Sequence, residues 1–138
     1  MAHKVCWVHH GRLIGCHYHS VVTIQDVHST YEKARTLIQR GKFPTHLLVD
    51  HRCVERYDLS LKQTQNIVSQ SIHENLGKVV VVIPNAMGRF FSSVVTHGMS
   101  YQLDMVDTMD DALAILCDAD VSLPSRADLA EMYGEWRG

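Results

Sequence analysis

The chain of 138 residues carries a net charge of −2, with 46% hydrophobic and 20% charged residues, a balance typical of one soluble globular domain. Its 13 basic residues are scattered, which argues against a nucleic-acid partner. The longest apolar run, Val79 to Pro84, is far too short for membrane insertion. Since the N-terminus has no apolar signal-peptide core, we expect a cytoplasmic protein.

The four cysteines form no C-x-x-C pair. We expect reduced and mostly buried thiols, because free cysteine is among the most buried residue types and disulfides are rare in the cytosol. A bridge between Cys6 and Cys16 across a hairpin is the alternative, which a reducing compartment disfavours.

The first part of the chain predicts a hairpin and a helix. Val5 to His9 and Leu13 to Thr23 alternate in polarity, and Gly11 between them can adopt the positive φ of a tight turn. Thr23 to Asp26 resembles a capping box that opens the first helix, which Gly41 ends. The apolar stripe of this helix comprises Ile24, Val27, Tyr31, Ala34, Leu37 and Ile38.

The middle of the chain predicts two further strands with a helix between them. Thr45 to Asp50 is a third strand, Arg52 to Asp58 a loop, and Ser60 to Gln63 a capping box that begins the second helix. Val79 to Ile83 is an apolar run without polar alternation, typical of a strand covered on both faces. We therefore place it at the centre of the sheet, with Val5 to His9 at or near an edge.

The last part of the chain predicts a third helix from Ala86 to His97, a fifth strand from Gln102 to Val106, a fourth helix, and a C-terminal helix from Ser125 to Arg137. The whole order predicts an α/β fold. It has a mostly parallel five-stranded sheet with an N-terminal antiparallel hairpin, helices packed on it, and a short C-terminal helix. We divide the chain into an α/β domain, residues 1–118, and a connector with the C-terminal helix, residues 119–138.

These segments resemble the STAS-like fold of bacterial anti-sigma-factor antagonists and SEC14-type lipid carriers. More closely, they resemble the small STAS-like proteins of bacteria, an uncharacterised branch. The pieces that carry the resemblance are His46 to Asp50, Val79 to Ile83, Arg89 to Phe91 and Thr108 to Leu113. The resemblance covers about Val5 to Leu116 and implies a non-enzymatic, protein-binding regulatory module.

The anti-sigma-factor antagonists carry an Asp-Ser-Ser-Gly motif at the start of the helix after this third strand. A partner kinase phosphorylates the second serine of that motif. Aligned without gaps from Asp50, the motif falls on Asp58 to Leu61. Asp58 and Ser60 match it, whereas Leu59 and Leu61 depart from it. The resemblance therefore implies Asp58 and Ser60 as regulatory residues.

Polar residues follow the predicted parallel strands, at the edge where open α/β sheets place their binding sites. Cys53 with His51 or His97 has the composition of a nucleophile and a base, which Asp50 would orient. A structural aspartate that closes the strand is the simpler interpretation of Asp50. The candidates for ligand binding are Asp50, His51, Asn85 and Arg89.

Ten histidines are many for a chain of this length. His17 and His19 are two residues apart in a predicted strand and so share a face, with His9 opposite them across the hairpin. No zinc-type spacing supports a metal site, so we expect a solvated polar face and no bound metal. Were a metal found, these three histidines would be the first ligands to consider.

The predicted C-terminal helix has an apolar side. Trp, Tyr and Met are enriched in interface cores, and a helix this short needs a surface to dock on. We expect this side to be an interface, beginning with a homodimer, and the alternative is that the helix covers its own sheet. The interface candidates are Leu129, Met132, Tyr133 and Trp136.

Two functions from different classes remain open. Because no strong acid–base or metal motif is present and no cofactor is implied, we favour a non-enzymatic interaction module with protein partners. We expect Ser60 to act mainly as the N-cap of the second helix, and the resemblance implies phosphorylation there. The alternative is a binder of a small molecule such as a lipid or nucleotide, or a small enzyme, that uses the carboxyl ends of the parallel strands.

Overall fold

The computed structural model describes residues 3–70, 74–84, 86, 88–89, 93 and 103–137. One five-stranded sheet has the order β1-β2-β3-β4-β5. Its strands are β1 His3–His9, β2 Leu13–Thr23, β3 Thr45–Asp58, β4 Leu76–Val82 and β5 Asp104–Val106. Strand β1 pairs antiparallel with β2, and the other neighbours are parallel. The predicted fold class is therefore confirmed.

The described helices pack on both faces of this sheet. They are α1 Ile24–Arg40, α2 Leu61–Val68, α3 Met109–Ala119 and α4 Arg126–Arg137. One apolar cluster joins α1 to the sheet and includes Ile14, Cys16, Tyr31, Ile38 and Val79. The other lies under α3 and α4 and includes Leu13, Leu48, Val80, Leu113, Leu116, Leu129 and Tyr133. Helices thus cover both faces of the sheet, which is what a strand with apolar residues on both of its faces requires.

The hairpin and the edge position of β1 agree with the sequence prediction. Gly11 has φ +78° in the turn, and the Arg12 N–H donates to the His9 carbonyl at 3.1 Å. Val79 to Ile83 is buried throughout, as predicted, and β4 lies inside the sheet between β3 and β5. The middle position belongs to β3, however, because only the short strand β5 follows β4.

Strand β3 is longer than predicted, and the loop expected from Arg52 to Asp58 is wrong. These residues continue the strand to Asp58 and pair with the second half of β2, from His19↔Cys53 to Thr23↔Asp58. Two register shifts interrupt the pairing. The main-chain hydrogen bonds to β2 hold this segment extended, although its polar side chains are typical of a loop in the sequence.

Of the predicted third helix, only part is described. Residues Ala86, Gly88, Arg89 and Ser93 are helical. Phe90, Phe91 and His97, together with Gln102 of the predicted fifth strand, lie outside the described residues.

The helices begin at the predicted caps. Thr23 and Asp26 form a reciprocal capping box on α1, with the Thr23 N–H donating to the Asp26 carboxylate at 2.9 Å. The Ser60 hydroxyl accepts from the Gln63 N–H at 3.3 Å, and the Thr108 hydroxyl from the Asp111 N–H at 3.1 Å. Each cap satisfies an amide that the helix itself leaves without a partner.

Replacement of the Ser60 cap by alanine is expected to cost about 1 kcal/mol of unfolding free energy. The cap is exposed, so water replaces part of the lost hydrogen bond. Urea unfolding of Ser60→Ala and of Ser60→Asn, which keeps an acceptor, measures this. A loss that is equal in both variants would contradict the capping role.

The C-terminal helix α4 packs on its own sheet. Leu129 is 0% and Tyr133 3% exposed within the cluster under α3 and α4, while Met132 and Trp136 are half-buried against it. A Cβ at Gly15 would lie 2.9 Å from the Trp136 ring, so this glycine makes room for the tryptophan on β2. Of the two sequence alternatives, the structure has the one in which the helix covers its own sheet. The division predicted at residue 118 falls at the end of α3.

The four cysteines are free, but the prediction of mostly buried thiols is wrong: Cys16 is buried, Cys6 and Cys117 are half-buried, and Cys53 is exposed. Val5, and not Cys6, pairs with Cys16, so Cys6 lies on the opposite face of the hairpin from Cys16. Cys6 Sγ accepts from the Trp136 indole on the α4 side, whereas Cys16 belongs to the cluster under α1. The alternative of a Cys6–Cys16 bridge is therefore wrong, because the two thiols point to opposite faces of the hairpin.

A buried histidine ties β3 to the end of α3. His46 Nδ1 accepts from the Lys78 N–H at 2.9 Å, so its Nε2–H donates to Asp120 Oδ2, also at 2.9 Å. Partial burial alone raises the pKa of Asp120, but hydrogen bonds from Ser122 and His46 outweigh it and lower the pKa to about 2.

Asp120 is therefore expected to contribute to acid denaturation. A carboxylate whose pKa is lowered by folding stabilises the protein above its unfolded-state pKa of roughly 4, and this stabilisation is lost as the pH falls from about 4 to about 2. Unfolding free energy measured against pH should therefore fall less steeply in this window for Asp120→Asn than for the wild type. Parallel curves would contradict the assignment.

Candidate functional site

Asp50 lies at the centre of a buried polar cluster on the α4 side of the sheet. It is 0% exposed, and its register partners are His17 on β2 and Val82 on β4. Oδ1 accepts from the backbone N–H and the Nε of Arg52, each at 3.0 Å. Oδ2 accepts from Arg52 Nη2 at 3.0 Å and from the Tyr133 hydroxyl at 2.5 Å. The carboxylate is thus held from its own strand and from α4.

These contacts determine the ionisation of the cluster. Burial alone raises the pKa of Asp50, but the hydrogen bonds from Arg52 and Tyr133 outweigh it, and the pKa lies below its ordinary value. Burial, aided by the hydrogen bond to Asp50, raises the pKa of Tyr133, so its hydroxyl stays a donor. Asp50 is therefore ionised and saturated, which suits a structural aspartate better than a catalytic base.

The sequence does not identify the partners of Asp50. The polar stretch that contains Arg52 predicts a loop, and Tyr133, an interface candidate, lies 83 residues from Asp50 along the chain. The one available signal was general: a tyrosine on an apolar helix face needs a partner for its hydroxyl. It did not say which one.

The histidines of β2 lie beside this cluster. The rings of His17 and His19 are 6.0 Å apart on one face, as predicted. His17 Nδ1 is 3.4 Å from Asp50 Oδ2, without hydrogen-bond geometry. Burial lowers the pKa of His17, and Asp50 opposes this only in part, so the ring is neutral near pH 7.

His9 is not opposite these histidines. It pairs with Leu13, and Lys4 is the residue opposite His17, so the predicted three-histidine arrangement is wrong in register. Within the described ranges, no group of three or more His, Cys, Asp or Glu side chains could hold a metal ion. The absence of a bound metal remains a prediction.

Asp50 and His51, paired as ligand-binding candidates in the sequence, point to opposite faces of β3. The His51 ring lies on the α1 side, 5.0 Å from the Tyr18 ring, and its Nδ1 is 2.6 Å from the Tyr57 hydroxyl. Burial lowers the pKa of His51 to about 4. A neutral ring packed between two tyrosines has the environment of a core histidine, and Asp50 cannot orient it as a base.

The remaining candidates follow β4. Arg89 donates from Nη2 to the Met105 carbonyl at 3.1 Å, and its Nη1 is 3.3 Å from Asp107 Oδ1. It therefore ties its helix to β5 and the residue after it. Asn85, the other candidate here, lies outside the described residues.

The predicted regulatory residues lie on the surface at the start of α2. Asp58 is the last residue of β3, Ser60 is the N-cap of α2, and both are exposed. The next residue, Leu61, is 39% exposed. A carboxylate, a hydroxyl and an apolar side chain thus stand together on the surface at one strand–helix junction.

A comparison with solved structures finds the same architecture elsewhere. An uncharacterised protein of the DUF3478 family from Shewanella loihica, described as having a SpoIIAA-like fold, is similar with a TM-score of 0.57. The two chains are 14% identical, and the similarity covers 84% of this chain and 93% of the other. The fold is STAS-like. At this identity the similarity concerns the fold alone.

The STAS-like architecture predicted from the sequence motifs is therefore confirmed. Compared with the known protein families, the sequence matches none. No curated protein matches it either. Among the helices of the described residues, none is both long and apolar enough to cross a membrane.

Proposed function

We propose that this STAS-like protein is a non-enzymatic interaction module that binds a partner protein through the start of α2, with Ser60 as its regulatory residue. One observation carries the proposal. Ser60 is exposed and caps α2 directly after β3, which is the position that the resemblance to anti-sigma-factor antagonists assigns to the phosphorylated serine.

The local chemistry supports phosphorylation of Ser60. The first amides of α2 and the N-terminal end of its dipole favour an anion at the cap. Leu61 offers a partner an apolar contact beside the hydroxyl, and Asp58 a charged one. A phosphate on Ser60 would place a dianion next to Leu61 and the Asp58 carboxylate, so it would make this docking surface more strongly anionic.

The contacts of Asp50 favour this function over a small-molecule site at the strand ends. Both oxygens of Asp50 are already used by Arg52 and Tyr133, and His51 is on the other face of the sheet. Arg89 is held by β5. A ligand in this region would have to displace existing hydrogen bonds. We therefore propose the start of α2 as the functional surface. The resemblance to the small STAS-like proteins of bacteria supports a location in the bacterial cytoplasm.

The test compares two exposed serine N-caps of the same protein. Ser60 caps α2, and Ser125 accepts from the Asp128 N–H at 3.2 Å at the start of α4. Intact mass and peptide mapping after expression in a bacterial host should show one phosphate, at Ser60. Affinity capture with Ser60→Asp as bait should lose partners that the wild type and Ser125→Asp retain. No phosphorylated fraction, together with equal capture by both variants, would refute the proposal.

A further inference from the structure

Among the described residues, the outer edge of β1 is open along all seven residues of the strand. In the described part of the chain β1 pairs only with β2, whereas the other edge strand, β5, has three residues. An open edge presents unpaired N–H and C=O groups that another strand can pair with. The edge of β1 is therefore a surface that needs a covering partner or a protecting side chain.

The side chain of Lys4, the lysine of this edge strand, does not project from the edge of the sheet. Lysine on an edge strand discourages pairing because its charge projects from the sheet. The ammonium of Lys4 instead lies over the Trp136 ring, 5.1 Å from its centroid, and donates to the Trp136 carbonyl. The charge of the edge lysine is thus bound to α4 of its own chain.

A groove beside this edge has an apolar floor and two opposite charges on its wall. It has a volume of about 310 Å³ and is lined by Val5 of β1 and by Glu32, Lys33, Thr36 and Leu37 of α1. Lys33 contacts the ring of His3 at 3.4 Å. Among the described residues, neither Glu32 nor Lys33 forms an ion pair with a side chain of opposite charge.

We propose that two copies of this chain pair antiparallel through β1, around a two-fold axis perpendicular to the sheet. In such an interface each residue meets the same surface on the other copy. Glu32 of one copy then faces Lys33 of the other across the joined grooves, and the converse pair forms on the other side of the axis. The patch is complementary to itself, which is why a second copy fits it better than a different protein.

The dimensions of the sheet agree with this arrangement. Helix α1 packs against β1 and β2, so its axis lies roughly above the line between them. Neighbouring strands are about 4.8 Å apart, which places the two α1 helices about 10 Å from each other across the axis. Helices in contact have axes about 8–10 Å apart. Pairing of β1 therefore brings the α1 helices into contact and buries Val5 and Leu37 between the copies.

Sedimentation equilibrium of the full chain tests the dimer. The wild type should sediment with twice the chain mass of 15.6 kDa at micromolar concentration. Glu32→Lys and Lys33→Glu should each raise the dimer dissociation constant about tenfold, because like charges then face each other. The double exchange of the two charges should restore it to within about threefold.

Two controls separate this interface from other effects. Glu131→Lys makes the same charge change on the exposed side of α4 and should leave the dissociation constant unchanged. Ser60→Asp should also leave it unchanged, since the α2 surface proposed for partner binding is a different one. A monomeric wild type, a dimer insensitive to both reversals, or a double exchange no better than either single one would overturn the proposal.

Discussion

A chain that ends at Ala119 is expected to lose more than about 5 kcal/mol of unfolding free energy and to be largely unfolded. The cut removes Leu123, Leu129 and Tyr133 from the cluster under α3 and exposes the sheet beneath them. Burial of one such side chain contributes about 1.5–3 kcal/mol, and the total stability of a domain is only about 5–15 kcal/mol. Circular dichroism with urea titration measures the loss.

A shorter truncation provides the control. A chain that ends at Gly134 keeps both buried residues of α4, Leu129 and Tyr133, and removes the half-buried Trp136. It should remain folded and unfold cooperatively. If the chain that ends at Ala119 instead unfolds with the wild-type free energy, α4 contributes nothing to the fold of its own chain. Its apolar side would then belong on another protein, as the sequence first suggested.

Asp50→Ala is expected to destabilise the protein by about 3 kcal/mol. The substitution leaves the buried Tyr133 hydroxyl without its acceptor and Arg52 without its carboxylate. We take the lower end of the range for a broken buried ion pair, because the Arg52 side chain is 32% exposed and water can solvate it. Urea unfolding followed by fluorescence measures the change.

Asp58→Ala is the matched control for this prediction. Asp58 lies on the same strand but is exposed, so its loss should change the unfolding free energy by less than about 0.5 kcal/mol. Tyr133→Phe should cost about 1–2 kcal/mol, since it removes the hydroxyl and leaves Asp50 bound to Arg52 alone. A cost for Asp50→Ala no larger than that for Asp58→Ala would show that the cluster does not stabilise the fold.

The order of strands and helices could be predicted because its signals are local. A capping box needs two residues three positions apart, such as Thr23 and Asp26, and a hairpin turn needs one glycine at Gly11. A strand covered on both faces needs only an unbroken apolar run such as Val79 to Ile83. Each of these patterns acts over a few residues, so tertiary contacts need not be known.

The environment of Asp50 could not be predicted, because its contacts join distant parts of the chain. Its partner Tyr133 is 83 residues away, and Arg52 belongs to a stretch whose polar side chains predict a loop. That stretch is a strand because β2 supplies the hydrogen bonds. The alternation of a strand also sends Asp50 and His51 to opposite faces, and this separates two residues that look like one site in the sequence.

The start of α2 could be predicted from the sequence, whereas the packing of α4 could not. Its position after the third strand and the cap at Ser60 follow from local sequence, and the structure has both. The direction of the apolar side of α4 does not, because an amphipathic helix carries the same pattern whether it covers its own sheet or a second protein. Only the packing of Leu129 and Tyr133 under α3 decides between these, since burial depends on which surface lies opposite.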